Sequence, residues 1–281
     1  MAAAVVSPLP GGTARRSFRV QVPGFDGVLR LPRPGSAPSL VAEAAAVRAA
    51  ALVQAGPPLL AESPTGLLIA HQPGHALTPA DLHQVAVRSR LCGALGRLHC
   101  AAPPANRLDL AGWTRTYRLA LRQSGTAEPA EYGDLLAALS AIEQALAVRP
   151  TAEVAAHGDA VPDNFVDDGR RVHVIDLEYA VRAEPWFDLA TLLDSAADTG
   201  SAELAFALVA DYIANVPSER PVDALVARVR AWRLLARATW WPWAMLPQQQ
   251  SIPRAEQWRD LPALCELVER ELPGLADALT A

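Results

Sequence analysis

The stretch "HGDAVPDNF", residues 157 to 165, places Asp159 five positions before Asn164, between two apolar runs. A carboxylate and an amide at that spacing suit a phosphoryl-transfer loop. The acid accepts the proton of an acceptor hydroxyl, and the amide oxygen holds a divalent cation on the phosphates. Such chemistry needs a second metal-binding acid on a turn after a nearby strand. "VHVIDLE" supplies Asp176 twelve residues beyond Asn164, at the end of an apolar run. Hard oxygen donors of this kind suit magnesium bound to nucleotide phosphates. An Asp and an Asn in a turn also cap helices or close Asx-turns, so spacing alone leaves both readings open.

The remaining parts must come from elements that precede the loop: a glycine turn over the phosphates, a cation on the following strands, and a helix acid to hold that cation. All three occur in that order. "PLPGGTARRSFRV" offers Gly11 and Gly12 between apolar stretches, "VLRLP" offers Arg30, and "LVAEAAAV" offers Glu43 in an Ala-rich segment. Each has a plainer reading as well: a hairpin turn, a strand-surface charge, a solvated helix position.

Short apolar segments from Ala2 to His71, separated by Gly, Pro and Asp turns, predict a small sheet carrying one helix from about Ser39 to Gln54. After "QPGHAL" the pattern turns helical. Thr78 as N-cap, Pro79 at the first helical position and Asp81 in the first turn predict a helix start, and Val87, Leu91, Leu95 and Leu98 recur at helical spacing. Further helices are predicted over "WTRTYRLALRQ", "EYGDLLAALSAIEQALA", "SAELAFALVADYIANV", "PVDALVARVRAWRLLARATWW" and "PALCELVEREL". "RRVHVIDLEYA" is the one strand candidate after the loop. The chain thus divides into 1–72, sheet-rich, and 73–281, helical.

Composition bounds the partners. With 281 residues, 51% hydrophobic and 20% charged, the chain reads as a soluble globular protein. It has no run of eighteen apolar residues, so a cytoplasmic location without membrane insertion is expected. A net charge of −5 argues against a nucleic-acid partner. All 25 basic residues are arginine, which excludes any mechanism built on a catalytic lysine. Cys92, Cys100 and Cys265 are unclustered and read as buried reduced thiols rather than a disulfide framework or a zinc site.

Taken together, "LPGGTARRSFRV", "VLRLP", "LGRLH", "HGDAVPDNF" and "VIDLEYAVRAEPWFDLATLL" resemble the aminoglycoside phosphotransferase and choline kinase superfamily, from about Pro8 to Leu193, with a further match near Trp240. The arginine on the third strand, "IDxEYA" followed by "FDLA", and a late "WxxW" are similar to the choline/ethanolamine kinase branch. The resemblance implies an α+β, protein-kinase-like fold in two lobes: a small antiparallel-sheet N-lobe with one helix, and a larger, mainly helical C-lobe. It implies ATP as co-substrate, Mg2+, and transfer of the γ-phosphoryl group to the hydroxyl of a small cationic alcohol such as choline or ethanolamine. Thiamine, an aminoglycoside or a sugar is the alternative acceptor, and a catalytically weak nucleotide-binding module the alternative class.

By the same resemblance Asp159 would be the catalytic base, Asn164 and Asp176 the magnesium ligands, Gly11 and Gly12 the turn over the phosphates, Arg30 with Glu43 the phosphate-positioning pair, and Ile69 to Gln72 the adenine hinge. His157 would orient the loop backbone. Asp188 would cap the following helix and anchor the loop. Glu178 fits either a role near the substrate ammonium or a structural ion pair. Arg15, with Arg16 beside it, stands where relatives commonly show Asn after the glycines; the two cations would either aid nucleotide binding near the phosphates or face solvent, and the second is expected. Asp163 and Asp167 are expected to be solvated turn residues, and the first strand to be abbreviated. Trp240 and Trp243 share a helical face unless Pro242 bends or ends the helix. Aromatic faces attract quaternary ammonium ions at about 0.5–2 kcal/mol each, and core packing is the alternative for the pair. Trp241, pointing elsewhere, is expected to pack.

Overall fold

The computed structural model describes residues 4–9, 15–33, 39–196, 201–250 and 252–280. Gly11 and Gly12 lie outside the described residues.

The N-terminal part comprises β1 (Val5–Leu9), β2 (Arg15–Val22), β3 (Phe25–Pro32), α1 (Leu40–Leu52), β4 (Leu59–Ser63) and β5 (Gly66–Ala70). These strands form one sheet in the order β1-β2-β3-β5-β4, with every neighbouring pair antiparallel. The first strand is short, as expected, at five residues, and all five pair with β2. Ser39 starts α1 by accepting a hydrogen bond from the Ala42 N–H at 3.4 Å, and the alanine run that follows carries high helix propensity. The small buried face Ala44, Ala46, Val47 and Ala50 belongs to one core with Leu67 and Ile69 of β5. Close packing of that face carries Glu43 inward, over the sheet.

The rest of the chain runs through β6 (His75–Ala76), α2 (Val85–His99), α3 (Leu110–Gln123), α4 (Ala130–Val148), β7 (Val154–Ala156), β8 (Phe165–Asp167), β9 (Val172–Val174), β10 (Val181–Ala183), α5 (Pro185–Ser195), α6 (Ala202–Ile213), α7 (Val222–Ala244) and α8 (Leu261–Thr280). β7 pairs with β10, while β6, β8 and β9 form a second small sheet. One apolar core joins α1, β5, α2, α5 and α6; another joins α3, α4, α7 and α8. Phe165 and Val174 belong to the first core, Ala156 and Val181 to the second. The strands that carry the loop therefore lie along the seam between the two cores. This is the expected α+β, two-lobe architecture.

Several elements differ from the sequence reading. Asp81 does close a cap, accepting from the Thr78 N–H at 2.8 Å and from its hydroxyl at 2.7 Å, but the product is a five-residue 3-10 turn and α2 begins only at Val85. Cap chemistry starts a turn; propagation needs an apolar face to bury, and that face begins with Val87. Strands β7, β8 and β10, three residues each, are too short to show alternation. Helix α5 is buried from Pro185 to Asp194 and has no polar stripe to set a helical period. Pro242 does not end α7, which continues to Ala244. The Ala238 carbonyl, left without an N–H partner by the proline, accepts instead from the buried Tyr132 hydroxyl at 2.8 Å. Cys92 is buried as expected, whereas Cys100 is exposed.

Candidate active site

The loop after β7 is tied down by backbone hydrogen bonds to one buried carboxylate. The N–H of His157 donates to Asp188 Oδ2 at 2.7 Å, and the N–H of Gly158 donates to Oδ1 at 3.1 Å. His99 Nε2 meets the same Oδ2 at 3.0 Å. Burial would raise the Asp188 pKa, but the hydrogen bond and charge of His99, with His157 beside them, hold it below the usual carboxylate range. Asp188 is not the cap expected of it. Pro185 takes the first helical position after Glu184, which leaves Asp188 inside the first turn with its side chain directed at the loop.

His157 links the loop to the strand that bears the second acid. Its Nδ1 accepts from the Asp159 N–H at 3.3 Å and its Nε2 donates to the Ile175 carbonyl at 2.9 Å, an arrangement that requires the Nε2–H tautomer. Gly158 has a φ of +81°, and a Cβ there would lie 2.1 Å from the Tyr179 carbonyl oxygen. Only glycine fits at that position. Asn164 donates from Nδ2 to the Asp159 backbone carbonyl at 2.8 Å, with Asp159 Oδ2 at 3.4 Å. That orientation commits the amide nitrogen to the loop and leaves the amide oxygen for a cation. Asp176 adopts the left-handed conformation, φ 60° and ψ 56°, uncommon for a residue with a Cβ. The kink at the end of β9 turns its carboxylate into the cleft that Asn164 also lines.

Arg30 is held by three carboxylates. Its Nε donates to Glu43 Oε1 at 2.6 Å, and its Nη2 donates to Asp176 Oδ1 at 2.5 Å and to Glu178 Oε2 at 3.2 Å. Burial alone would lower its pKa, but Asp176 and Glu43 outweigh that effect and the net shift is upward. Glu43 is only 1% exposed, and its other oxygen accepts from Arg15 Nε at 2.9 Å. Neither the surface reading of Arg30 nor the solvated reading of Glu43 survives this geometry. Nor does that of Arg15, whose guanidinium is completely buried; Arg16 is exposed. The ion pair with Glu43 offsets the desolvation that had favoured a solvent-facing arginine. Glu178 belongs to this buried network, beside Arg30 Nη2 at 3.2 Å and Arg15 Nε at 3.8 Å, which is the ion-pair side of its two readings. Burial, and then the charge of Asp176, push its carboxyl up to about 8 against the pull of Arg30.

A cleft of about 410 Å³ lies between the sheet and the loop, lined by Arg30, Ile69, Gln72, Asn164 and Asp176, with Val28 on the sheet side. It brings together every nucleotide-side residue expected from the sequence except Glu43, which backs Arg30, and the two glycines, which lie outside the described residues. Asp163 is exposed and also borders the cleft. Asp167 is buried and bonded to Arg90, not solvated.

On the other side of the loop a small recess of about 30 Å³ joins Asp159 and Gly158 to Tyr117, Tyr179, Trp240, Trp243 and Trp258. Trp240 and Trp243 meet edge to face at 6.4 Å, and Trp258 stands 6.1 Å from the first and 5.8 Å from the second. Tyr117 lies 6.2 Å from Trp240. Its phenol is held above its usual pKa by burial first and then by Tyr179 and Asp159, so it remains protonated at neutral pH. Trp241 is in the core, with its ring 4.5 Å from that of Tyr132. Sequence reasoning missed Tyr117, Tyr179 and Trp258. Trp258 sits in a 3-10 turn, and its indole N–H donates to Asp194 at 2.8 Å; only its residue type could have marked it.

The donor set fits magnesium. Asn164 and Asp176 offer hard oxygens on one cleft, and Mg2+ characteristically takes one or two protein oxygens and completes its shell with phosphate and water. Among the described residues no group of three or more His, Cys, Asp or Glu is arranged to hold a metal alone.

The family model for the phosphotransferase enzyme family matches residues 5–225. No curated protein matches the chain. A choline/ethanolamine kinase family protein from Mesorhizobium loti superposes with a TM-score of 0.81 at 24% identity, over 98% of this chain and 92% of that one. A choline kinase from Cryptosporidium parvum gives 0.76 at 16%, over 99% and 94%. A macrolide 2'-phosphotransferase from Brachybacterium faecium gives 0.57 at 19%, over 98% and 91%. At such identities the likeness establishes the fold.

Proposed function

We propose, for a chain that belongs to the phosphotransferase enzyme family, that the γ-phosphoryl group of ATP passes to the hydroxyl of a small cationic alcohol of the choline or ethanolamine type. The observation that carries the acceptor class is the recess itself. It presents five aromatic side chains around one carboxylate, Asp159. Aromatic faces favour a single quaternary or primary ammonium group, whereas a polycationic aminoglycoside calls for several carboxylates.

In this reading the lobe of residues 1–72 covers the nucleotide, and Ile69 to Gln72 border the adenine. Arg30, held by Glu43, faces the phosphates. Asn164 and Asp176 would hold Mg2+, which when bound neutralises phosphate charge and polarises the transferring group. Asp159 orients the acceptor hydroxyl and takes its proton late in transfer. Tyr117 and Tyr179 border the same recess, and the indole rings exclude water from the ammonium end. Most of the acceleration comes from positioning and electrostatics, because the transfer asks little covalent chemistry of the protein.

Acceptor-dependent ADP release from Mg-ATP tests this directly, across choline, ethanolamine, thiamine, an aminoglycoside and a blank. Stimulation by choline or ethanolamine is expected. Stimulation by another acceptor alone would remove the aromatic reading and keep the transferase; no stimulation by any of them would remove the acceptor assignment.

A further inference from the structure

Glu43 carries two guanidinium groups on separate oxygens, Arg15 on Oε2 at 2.9 Å and Arg30 on Oε1 at 2.6 Å. Arg15 is the first residue of β2, opposite Pro32 of β3, and its Nε also lies 3.8 Å from Glu178 Oε2. The cluster therefore holds three acidic side chains, Glu43, Asp176 and Glu178, against two guanidiniums. With no exposed surface, Arg15 does not touch a ligand in the cleft. Its nearest ion-pair partner is Glu43, with Glu178 farther off, and Glu43 in turn holds Arg30. Without Arg15, one buried oxygen of Glu43 loses its donor, and the free way to recover a bond is to take Arg30 with both oxygens. That rotation withdraws the Arg30 Nη2 from Asp176 and from the cleft.

Resting on the nucleotide reading of that cleft, we propose that Arg15 is a positioning residue for nucleotide: by occupying Glu43 Oε2 it keeps Glu43 monodentate on Arg30 and so keeps Arg30 turned toward the phosphates. Arg15 thereby joins the strand that follows the glycine segment to the acid of α1 and the cation of β3.

Calorimetric titration of Mg-ADP into the full chain tests this without any acceptor. Arg15→Met is expected to weaken Mg-ADP binding about tenfold, within the range for one member of a shared ion-pair network, and to leave the KM for the acceptor unchanged in turnover assays. Arg15→Lys, which keeps the charge, is expected to recover most of the loss. If the methionine variant does not fold, Arg15→Gln, with a donor but no charge, is titrated in its place with the same expectation. Wild-type protein that fails to bind Mg-ADP would overturn the nucleotide reading itself. Wild-type binding matched by the uncharged variant, or an equal loss for nucleotide and acceptor, would overturn the role of Arg15 and leave the cleft reading standing.

Discussion

Asp159 borders the aromatic recess, and the residue bonded to its backbone, Asn164, lines the cleft between the sheet and the loop. In the proposed transfer, Asp159 at that junction is the proton acceptor between the two sides. Asp159→Asn is expected to lower kcat by roughly 10²–10⁴-fold, the usual contribution of a positioned general base, with an unchanged thermal melt; a fully active variant would remove Asp159 from the chemistry. Trp243 tests the other side. Truncation to alanine should raise the KM for a cationic alcohol by about tenfold, within the range for one aromatic face, and leave the KM for Mg-ATP as it was. An equal effect on both would return Trp243 to packing. At this scale the sequence singled out residues whose types are rare for their spacing, Asp159, Asn164 and Asp176, and the structure places Asn164 and Asp176 on one cleft and Asp159 on the recess beside it. It did not disclose that Arg15 is buried, because that depends on Glu43, 28 positions away, turning an oxygen toward it.

The elements show why the loop holds its shape. β7 delivers His157, α5 delivers Asp188 and α2 delivers His99 to one buried network, so three elements fix two backbone N–H groups. Replacing Asp188 by Asn should cost roughly 3–5 kcal/mol of stability in urea denaturation, the scale for losing one partner of a buried charged pair. The pH dependence has a definite sign. Asp188 is depressed in the folded state, so its stabilisation is complete above the unfolded carboxylate value, about 3.9, and is lost as pH falls through the lower folded value. Wild-type protein should therefore lose stability on acidification below about pH 4 more steeply than Asp188→Asn; parallel curves would contradict the network. Helices α3, α4 and α6 were legible in the sequence because each has an apolar stripe that faces a single core, and α7 because its length carries apolar residues at helical spacing into both. Helix α5 and the three-residue strands were not, since burial on every side or extreme shortness erases the period.

Over the whole molecule, two apolar cores meet along the strands of the site, and the sheet with α1 closes over one side of it. Among the described residues no helix is long and apolar enough to cross a membrane. Arg30, Glu43, Asn164 and Asp176 were singled out in that order from residue types and spacing, and three of them line one cleft with Glu43 behind Arg30. The aromatic recess was only half legible: Trp240 and Trp243 share a helix, but Tyr117 arrives from α3 and Trp258 from a turn after α7, and their meeting is a property of the packed chain. The central claim is that those rings select a positive charge. It is tested most directly by comparing kcat/KM for choline with that for 3,3-dimethylbutan-1-ol, its uncharged isostere of equal shape, at saturating Mg-ATP. A preference for choline of about tenfold or more is predicted, since one desolvated cation–aromatic contact already supplies a factor of that size. Equal values would contradict the claim and make the tryptophans an apolar wall.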